Sequence, residues 1–154
     1  MIPRVYIDTS IVGGFFDKEF SKDTQALFKR LENNEVIFII SSVLQQELQM
    51  APVNVRQLLN TYKSNYFEFI KLSETAIELA KKYINEKVMG SSGLNDCLHI
   101  AMATIHKADV LVSWNFKHIV NLDRIKGYNG VNLKHGFSTV EIRSPKELIN
   151  YEKK

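Results

Sequence analysis

Apolar positions along the chain fall into two alternating patterns. Ile2–Ile7, Val36–Ile40, Tyr66–Leu72 and Val110–Ser113, with a shorter Val140–Ile142, are contiguous runs rich in β-branched and aromatic residues, with the length of strands. Between them the apolar residues recur at three and four. Leu27, Phe28 and Leu31 do so within residues 21–31. Ala76, Leu79, Ala80 and Tyr83 follow Ser73, and Cys97, Ile100, Ala101 and Thr104 follow Leu94. Each set makes one buried stripe on a helix. Ser42-Val43-Leu44-Gln45 and Ser144-Pro145-Lys146-Glu147 have the spacing of capping boxes, and Pro52 separates the first of these helices from another over Val53–Tyr62. Gly13-Gly14 predicts a turn soon after Asp8, and residues 121–137, with Gly127, Asn129-Gly130 and Gly136, read as irregular. Strands alternating with helices predict an α/β fold, a three-layer α/β/α sandwich with a mainly parallel central sheet. The unbroken apolar run Val36–Ile40 is that of a strand covered on both faces.

Composition narrows this picture little. The chain has 154 residues, 45% hydrophobic and 24% charged, which fits one domain over 1–154 with a full core. The net charge of +3 is compatible with a polyanionic partner. The single cysteine, Cys97, has no internal disulfide partner and reads as a small core residue. No apolar run has membrane-spanning length, and Pro3, Arg4 and Asp8 interrupt any signal-like stretch, so a cytoplasmic protein is expected, with no membrane partner.

The candidate chemistry lies where strands end. In open α/β sheets ligands bind beyond the carboxyl ends of the strands. Asp8 ends the first strand, Glu47 lies in the second turn of the helix after the second, and Asn115 follows the fourth. Asp96 opens the helix that leads back into that fourth strand, where the helix dipole favours a carboxylate. Each also has a plain structural use: Asp8 and Asn115 as caps, Glu47 and Asp96 as solvated helix charges. Placed on one rim, three carboxylates repel, and a divalent cation offsets the repulsion; all-oxygen ligands favour Mg²⁺ or Mn²⁺.

Tyr6-Ile7-Asp8-Thr9-Ser10, Ser41 to Leu48, Asn95-Asp96-Cys97-Leu98-His99 and Leu111 to Ile119 together resemble the motif set of PIN domains, in order and spacing and over essentially the whole chain. The resemblance implies a PIN-like fold and a metal-dependent ribonuclease. It also implies kinship with the VapC-type toxins of toxin–antitoxin pairs, and hence an antitoxin partner and a homodimer. Asp8, Glu47 and Asp96 match the family's acidic residues, and Ser10 its Ser/Asn two positions beyond the first Asp. The fourth position departs: Asn115 stands where many PIN domains carry Asp, which removes one charge from the site. Asp123, eight residues on, is an acidic alternative, whereas Asp109 precedes the fourth strand and belongs to the opposite edge.

From Asn115 to Lys146 six basic residues face two acidic ones, a surface suited to a phosphodiester. Lys117, His118 and Arg124 are the candidate RNA contacts, His118 by stacking. His99, three residues beyond Asp96, reads as packing or as support for a site residue. Two other readings stay open on sequence alone: a nucleic-acid-binding domain that has lost its chemistry, and a module that binds an acidic protein.

Overall fold

The computed structural model describes residues 1–152, with side chains through Leu148. Five strands, β1 (Arg4–Ile7), β2 (Ile37–Ser41), β3 (Phe67–Ile70), β4 (Val110–Val112) and β5 (Ile142–Arg143), form one sheet in the order β3-β2-β1-β4-β5. Every pairing is parallel, with Tyr6 beside Ile39 on one flank and Leu111 on the other. The helices are α1 (Thr9–Gly14), α2 (Ser21–Glu32), α3 (Ser42–Leu48), α4 (Val53–Gln57), α5 (Glu74–Asn85), α6 (Leu94–Ile105), α7 (Leu122–Lys134) and α8 (Pro145–Glu152).

Side chains alternate across a strand, so the sheet carries two cores. Tyr6, Ile39, Leu111 and Ile142 pack with the inner stripes of α5, α6 and α7. Val5, Ile7, Phe38, Ile40, Val110 and Val112 pack with α1, α2 and α3. The result is the expected three-layer sandwich. In the middle of α6 every residue from Cys97 to Thr104 is buried, because α5 and α7 cover what the sheet does not. Burial, with the charge of Asp96 adding to it, pushes the Cys97 thiol up to about 12.

The caps follow the sequence with one shift. Ser73 Oγ accepts from Ala76 N, and Ser144 and Glu147 form a reciprocal box, Glu147 N to Ser144 Oγ at 3.2 Å and Ser144 N to Glu147 Oε1 at 3.1 Å. The cap of α3 is Ser41, not Ser42. Ser41 Oγ accepts from Leu44 N, while Ser42 Oγ accepts from Leu72 N and ties α3 to the chain after β3.

Two expectations are corrected. The turn read after Asp8 is the helix α1, and Gly14 belongs to it because the indole of Trp114 lies against its backbone. A Cβ there would come within 2.8 Å of the Trp114 ring. The irregular reading of 121–137 is also wrong, since Leu122–Lys134 is a helix capped by Asn121. Gly127, Asn129 and Asn132 in it serve contacts rather than breaks. A Cβ on Gly127 would meet Val88 at 2.7 Å, Asn129 clamps the backbone of Val140, and Asn132 accepts from the Tyr83 hydroxyl.

At the N-terminal edge of the sheet, Arg4 N donates to Asp109 Oδ2 at 2.7 Å. The Arg4 guanidinium meets both oxygens of Glu68, at 2.8 and 2.7 Å, across β2. At the opposite edge the chain runs from β1 to β2 and β3 on one side and to β4 and β5 on the other. The crevice outside the ends of β1 and β4 is therefore the topological switch point, where folds of this type bind ligands.

Candidate functional site

Asp8 ends the central strand β1 and is buried, 5% exposed. Ser10 Oγ donates to its Oδ1 and Ser113 Oγ to its Oδ2, each at 2.6 Å. Ser10 Oγ also accepts from Trp114 N at 2.8 Å. A short α1 and the end of β4 are thereby locked around one carboxylate. Burial raises the Asp8 pKa above the ordinary carboxylate range, against the charge of His99 and the two serine hydroxyls; the charge of Asp96 raises it further. The two aspartates are thus close enough to oppose each other's ionisation.

Asp96 sits in the first turn of α6 and is half-buried. Its Oδ2 meets the Asn115 carboxamide at 3.4 Å and His118 Nδ1 at 3.1 Å. Asn115 serves in two ways. Its Oδ1 accepts from His118 N at 2.9 Å and shapes the turn, while its Nδ2 reaches Asp96. Its own N donates to Ser113 Oγ, so Asp8, Ser113, Asn115 and Asp96 form one hydrogen-bonded web across the switch point.

Glu47 stands in a second group. Its Oε1 accepts from Thr9 Oγ1 and pairs with His99 Nε2, both at 2.6 Å, and its Oε2 has a long contact with Asn95 Nδ2 at 3.5 Å. His99 Nδ1 lies 2.7 Å from the Tyr6 hydroxyl, which is 2.8 Å from Ser41 Oγ, so a buried polar chain runs from Glu47 into the core. Burial works to raise the Glu47 pKa, but the hydrogen bond and charge of His99, with Thr9 and Asn95, outweigh it and leave the pKa lowered. An ionised Glu47 needs a donor at His99 Nε2, which fixes that proton on the nitrogen facing the carboxylate. Thr9, Glu47 and Asn95 line an open groove of about 560 Å³.

The donor set suits a hard divalent cation in part. Asp8 and Asp96 offer oxygen donors to one crevice, held by serine hydroxyls, an amide and an imidazole, with no Lys or Arg among their hydrogen-bond partners in the described residues. Among the described residues, no three His, Cys, Asp or Glu side chains are grouped to hold a metal, and Glu47 is turned to His99. The fit is to a site founded on two carboxylates.

The remaining candidates lie around this web. Lys117 is exposed on the turn beside Asn115. His118 turns its Nδ1 edge to Asp96 Oδ2 at 3.1 Å, a contact in the plane of the ring. The Arg124 guanidinium is bonded to the Val88 carbonyl and approaches Met89 Sδ at 3.8 Å, which makes it a brace for α7. Asp123 is exposed in the first turn of α7, and Asp109 lies at the far edge. The pairing of His99 with Glu47 was not legible in the sequence. The signal available is a histidine three residues beyond Asp96, on the same helical face.

The PIN domain family matches residues 5–118, well over half of the chain. The chain belongs to the PIN domain family. No curated protein sequence matches it. Its PIN fold is shared with solved structures of low identity. VapBC2 from Rickettsia felis, bound to a DNA fragment from its promoter, is 16% identical and has a TM-score of 0.55, with 92% of this chain and 98% of that one covered. FitAB bound to an IR36 DNA fragment is 12% identical, with a TM-score of 0.57 and coverage of 92% and 94%. FitAcB from Neisseria gonorrhoeae is 12% identical, with a TM-score of 0.55 and coverage of 92% and 97%. The PIN match spans Asp8, Glu47, Asp96, Asn115 and His118, that is, the whole web just described.

Proposed function

We propose that this PIN domain is a Mg²⁺- or Mn²⁺-dependent ribonuclease that hydrolyses phosphodiester bonds of single-stranded RNA, and that it is the toxin of a toxin–antitoxin pair. The observation that carries the reading is the pair Asp8 and Asp96, brought together at the switch point and partnered by hydroxyls, an amide and an imidazole rather than by fixed cations. Mutual repulsion and burial make that arrangement costly for the free protein, and a bound cation relieves it.

Asp8 and Asp96 would hold the ion, with Glu47 on the neighbouring wall. Such an ion supplies an acidified water and stabilises charge on the phosphate. The protein's own groups do the positioning. Ser10 and Ser113 fix both oxygens of Asp8, and Asn115 and His118 fix one oxygen of Asp96. His99 and Thr9 hold Glu47 ionised at the groove. Lys117 and the basic C-terminal third attract the strand. Absence of a charge at Asn115 lowers the site's total and disfavours a second ion. The toxin role rests on family membership and on the complexes whose fold the chain shares. It brings with it an antitoxin laid over the site, a homodimer and a cytoplasmic location.

Two readouts on the purified chain test this. With a labelled single-stranded RNA, cleavage is expected in Mg²⁺ and not in EDTA, and Asp96→Asn is expected to lower it by more than about 100-fold, beyond the loss typical of an outer-shell change. In parallel, Mg²⁺ is expected to raise the melting temperature of wild type and not of Asp96→Asn. Undiminished cleavage by the mutant, or an equal metal shift in both proteins, would remove the site from this position.

A further inference from the structure

The turn that closes the carboxylate web also carries an exposed aromatic side chain. Ser113 holds Asp8, Asn115 holds Asp96, and the next residue, Phe116, leaves 48% of its surface in solvent. Phe116 is braced from behind. Its ring packs edge-on against Trp114, at 6.0 Å between centroids and 65°, and lies 6.4 Å from Phe20. Trp114 is itself stacked on Phe20 at 4.2 Å and donates from Nε1 to Thr24 Oγ1, and Gly14 lets its indole lie on α1. The backbone of Trp114 is tied to Ser10, and so to Asp8. The aromatic stack and the carboxylates therefore share one rigid frame.

Phe116 forms a wall of an open cleft of about 260 Å³ that also takes in Val120, Leu122, Arg143 and Glu147. Leu122 is 69% exposed. Arg143 is held by the carbonyl of Ile142 and by Glu141, at 2.9 and 2.8 Å, and its side chain remains 45% exposed. Lys117 follows Phe116 directly. An aromatic face, an apolar floor and the Arg143 guanidinium, with the Glu147 carboxylate also in the lining, offer one nucleotide a ring that stacks and a cation that pairs with its phosphate. The Arg143 guanidinium, 45% exposed beside its pairing with Glu141, favours an anionic strand.

We propose that this cleft is a subsite for one unpaired nucleobase of the strand being cut, with Phe116 as the stacking platform and Arg143 as its cationic rim. The proposal deepens the ribonuclease reading, because a platform fixed beside Asp96 would set which nucleotide lies next to the scissile phosphate. It also gives a reason for a single-stranded substrate. A paired base has no free face to offer.

The test uses full-length protein and a 2′-O-methyl RNA octamer of mixed sequence in EDTA, where metal-dependent hydrolysis does not proceed, read by fluorescence anisotropy. Phe116→Ala is expected to weaken binding about tenfold, equivalent to about 1.4 kcal/mol, and Phe116→Trp to keep wild-type affinity. Octamers with one abasic site, moved along the strand, supply the second arm. At one position the missing base is expected to cost wild type about tenfold and Phe116→Ala nothing further. The same octamer in duplex form is expected to bind more weakly and to be indifferent to residue 116. Equal affinity of wild type and Phe116→Ala, no detectable binding by wild type, or an abasic penalty that is the same in both proteins would each overturn the subsite. So would a Phe116→Ala protein that keeps its RNA affinity but no longer binds a co-expressed antitoxin, which would assign the face to a protein. The two readings fail separately. Cleavage without any Phe116 dependence keeps the nuclease and discards the subsite, and Phe116-dependent binding without cleavage does the reverse.

Discussion

The two edges of the sheet treat their acidic side chains in opposite ways. At the N-terminal edge Glu68 meets the Arg4 guanidinium through both oxygens and Asp109 accepts a backbone N–H. At the C-terminal edge, among the described residues, Asp8 accepts from the hydroxyls of Ser10 and Ser113, and Asp96 meets an amide and an imidazole. A guanidinium neutralises a carboxylate, whereas a hydroxyl aims it and leaves its charge available. In a protein of this kind, the nature of the donor separates an acid that fastens the fold from one that waits for a cation.

The largest change is expected from adding a charge to the second edge. Asn115→Asp keeps an oxygen for His118 N, so the turn persists, and puts a carboxylate against Asp96. Mg²⁺ should bind about tenfold tighter, equivalent to about 1.4 kcal/mol, while the metal-free protein loses stability. Melting curves in EDTA and across a Mg²⁺ titration read both effects; if neither moves, Asn115 has no part in the site.

A smaller effect is expected at the first edge. Glu68→Gln breaks the bidentate pair, and because both partners are partly exposed, the loss should be about 1 kcal/mol, roughly 2–4 °C in a chain of this length, with RNA cleavage unchanged. The Arg4 hydrogen bond, more than its charge, lowers the Glu68 pKa. The stabilisation is therefore present above the ordinary carboxylate range and fades as pH falls through the lowered folded-state pKa. The gap between wild type and mutant should close in acid, and a gap that widened there would contradict the pairing.

The smallest effect has the opposite sign. The folded-state pKa of Asp8 is raised, so its protonated form favours folding and that advantage is lost as pH rises through the raised value. At neutral pH in EDTA the ionised Asp8 is a burden, and Asp8→Asn should melt higher by up to about 1 kcal/mol, a few degrees. Toward the ordinary carboxylate range the gain should shrink. A mutant that melts lower at neutral pH would show that the serines more than offset burial.

The sequence displays what local chemistry decides. Runs of β-branched residues mark the strands, Ser73 and Ser144 mark helix starts by their spacing, and the rim positions of Asp8, Asp96 and Asn115 follow from where strands end. What it conceals is decided by distant neighbours. Gly14 and Gly127 read as breaks, yet each sits inside a helix because a side chain from elsewhere, Trp114 or Val88, fills the space a Cβ would need. Asn129 and Asn132 read as loop residues, yet they bond to Val140 and Tyr83, far along the chain. The site shows the same division. The carboxylates and the two histidines are visible, but which histidine serves which carboxylate is not, because a pair between Glu47 and His99 exists only once α3 and α6 are packed. Arg124 was expected at the substrate and instead braces the Val88 carbonyl, since a long side chain goes where the fold leaves an acceptor.

The sealed middle of α6 has a practical consequence. Its lone sulfhydryl, Cys97, has no solvent-accessible surface and is held protonated, so an alkylating reagent finds no nucleophile while the domain stays closed. The chain therefore labels as though it had no cysteine at all. A reporter cysteine placed on the rim can be modified without background, and the slow capture of Cys97 itself times how often α6 parts from the sheet.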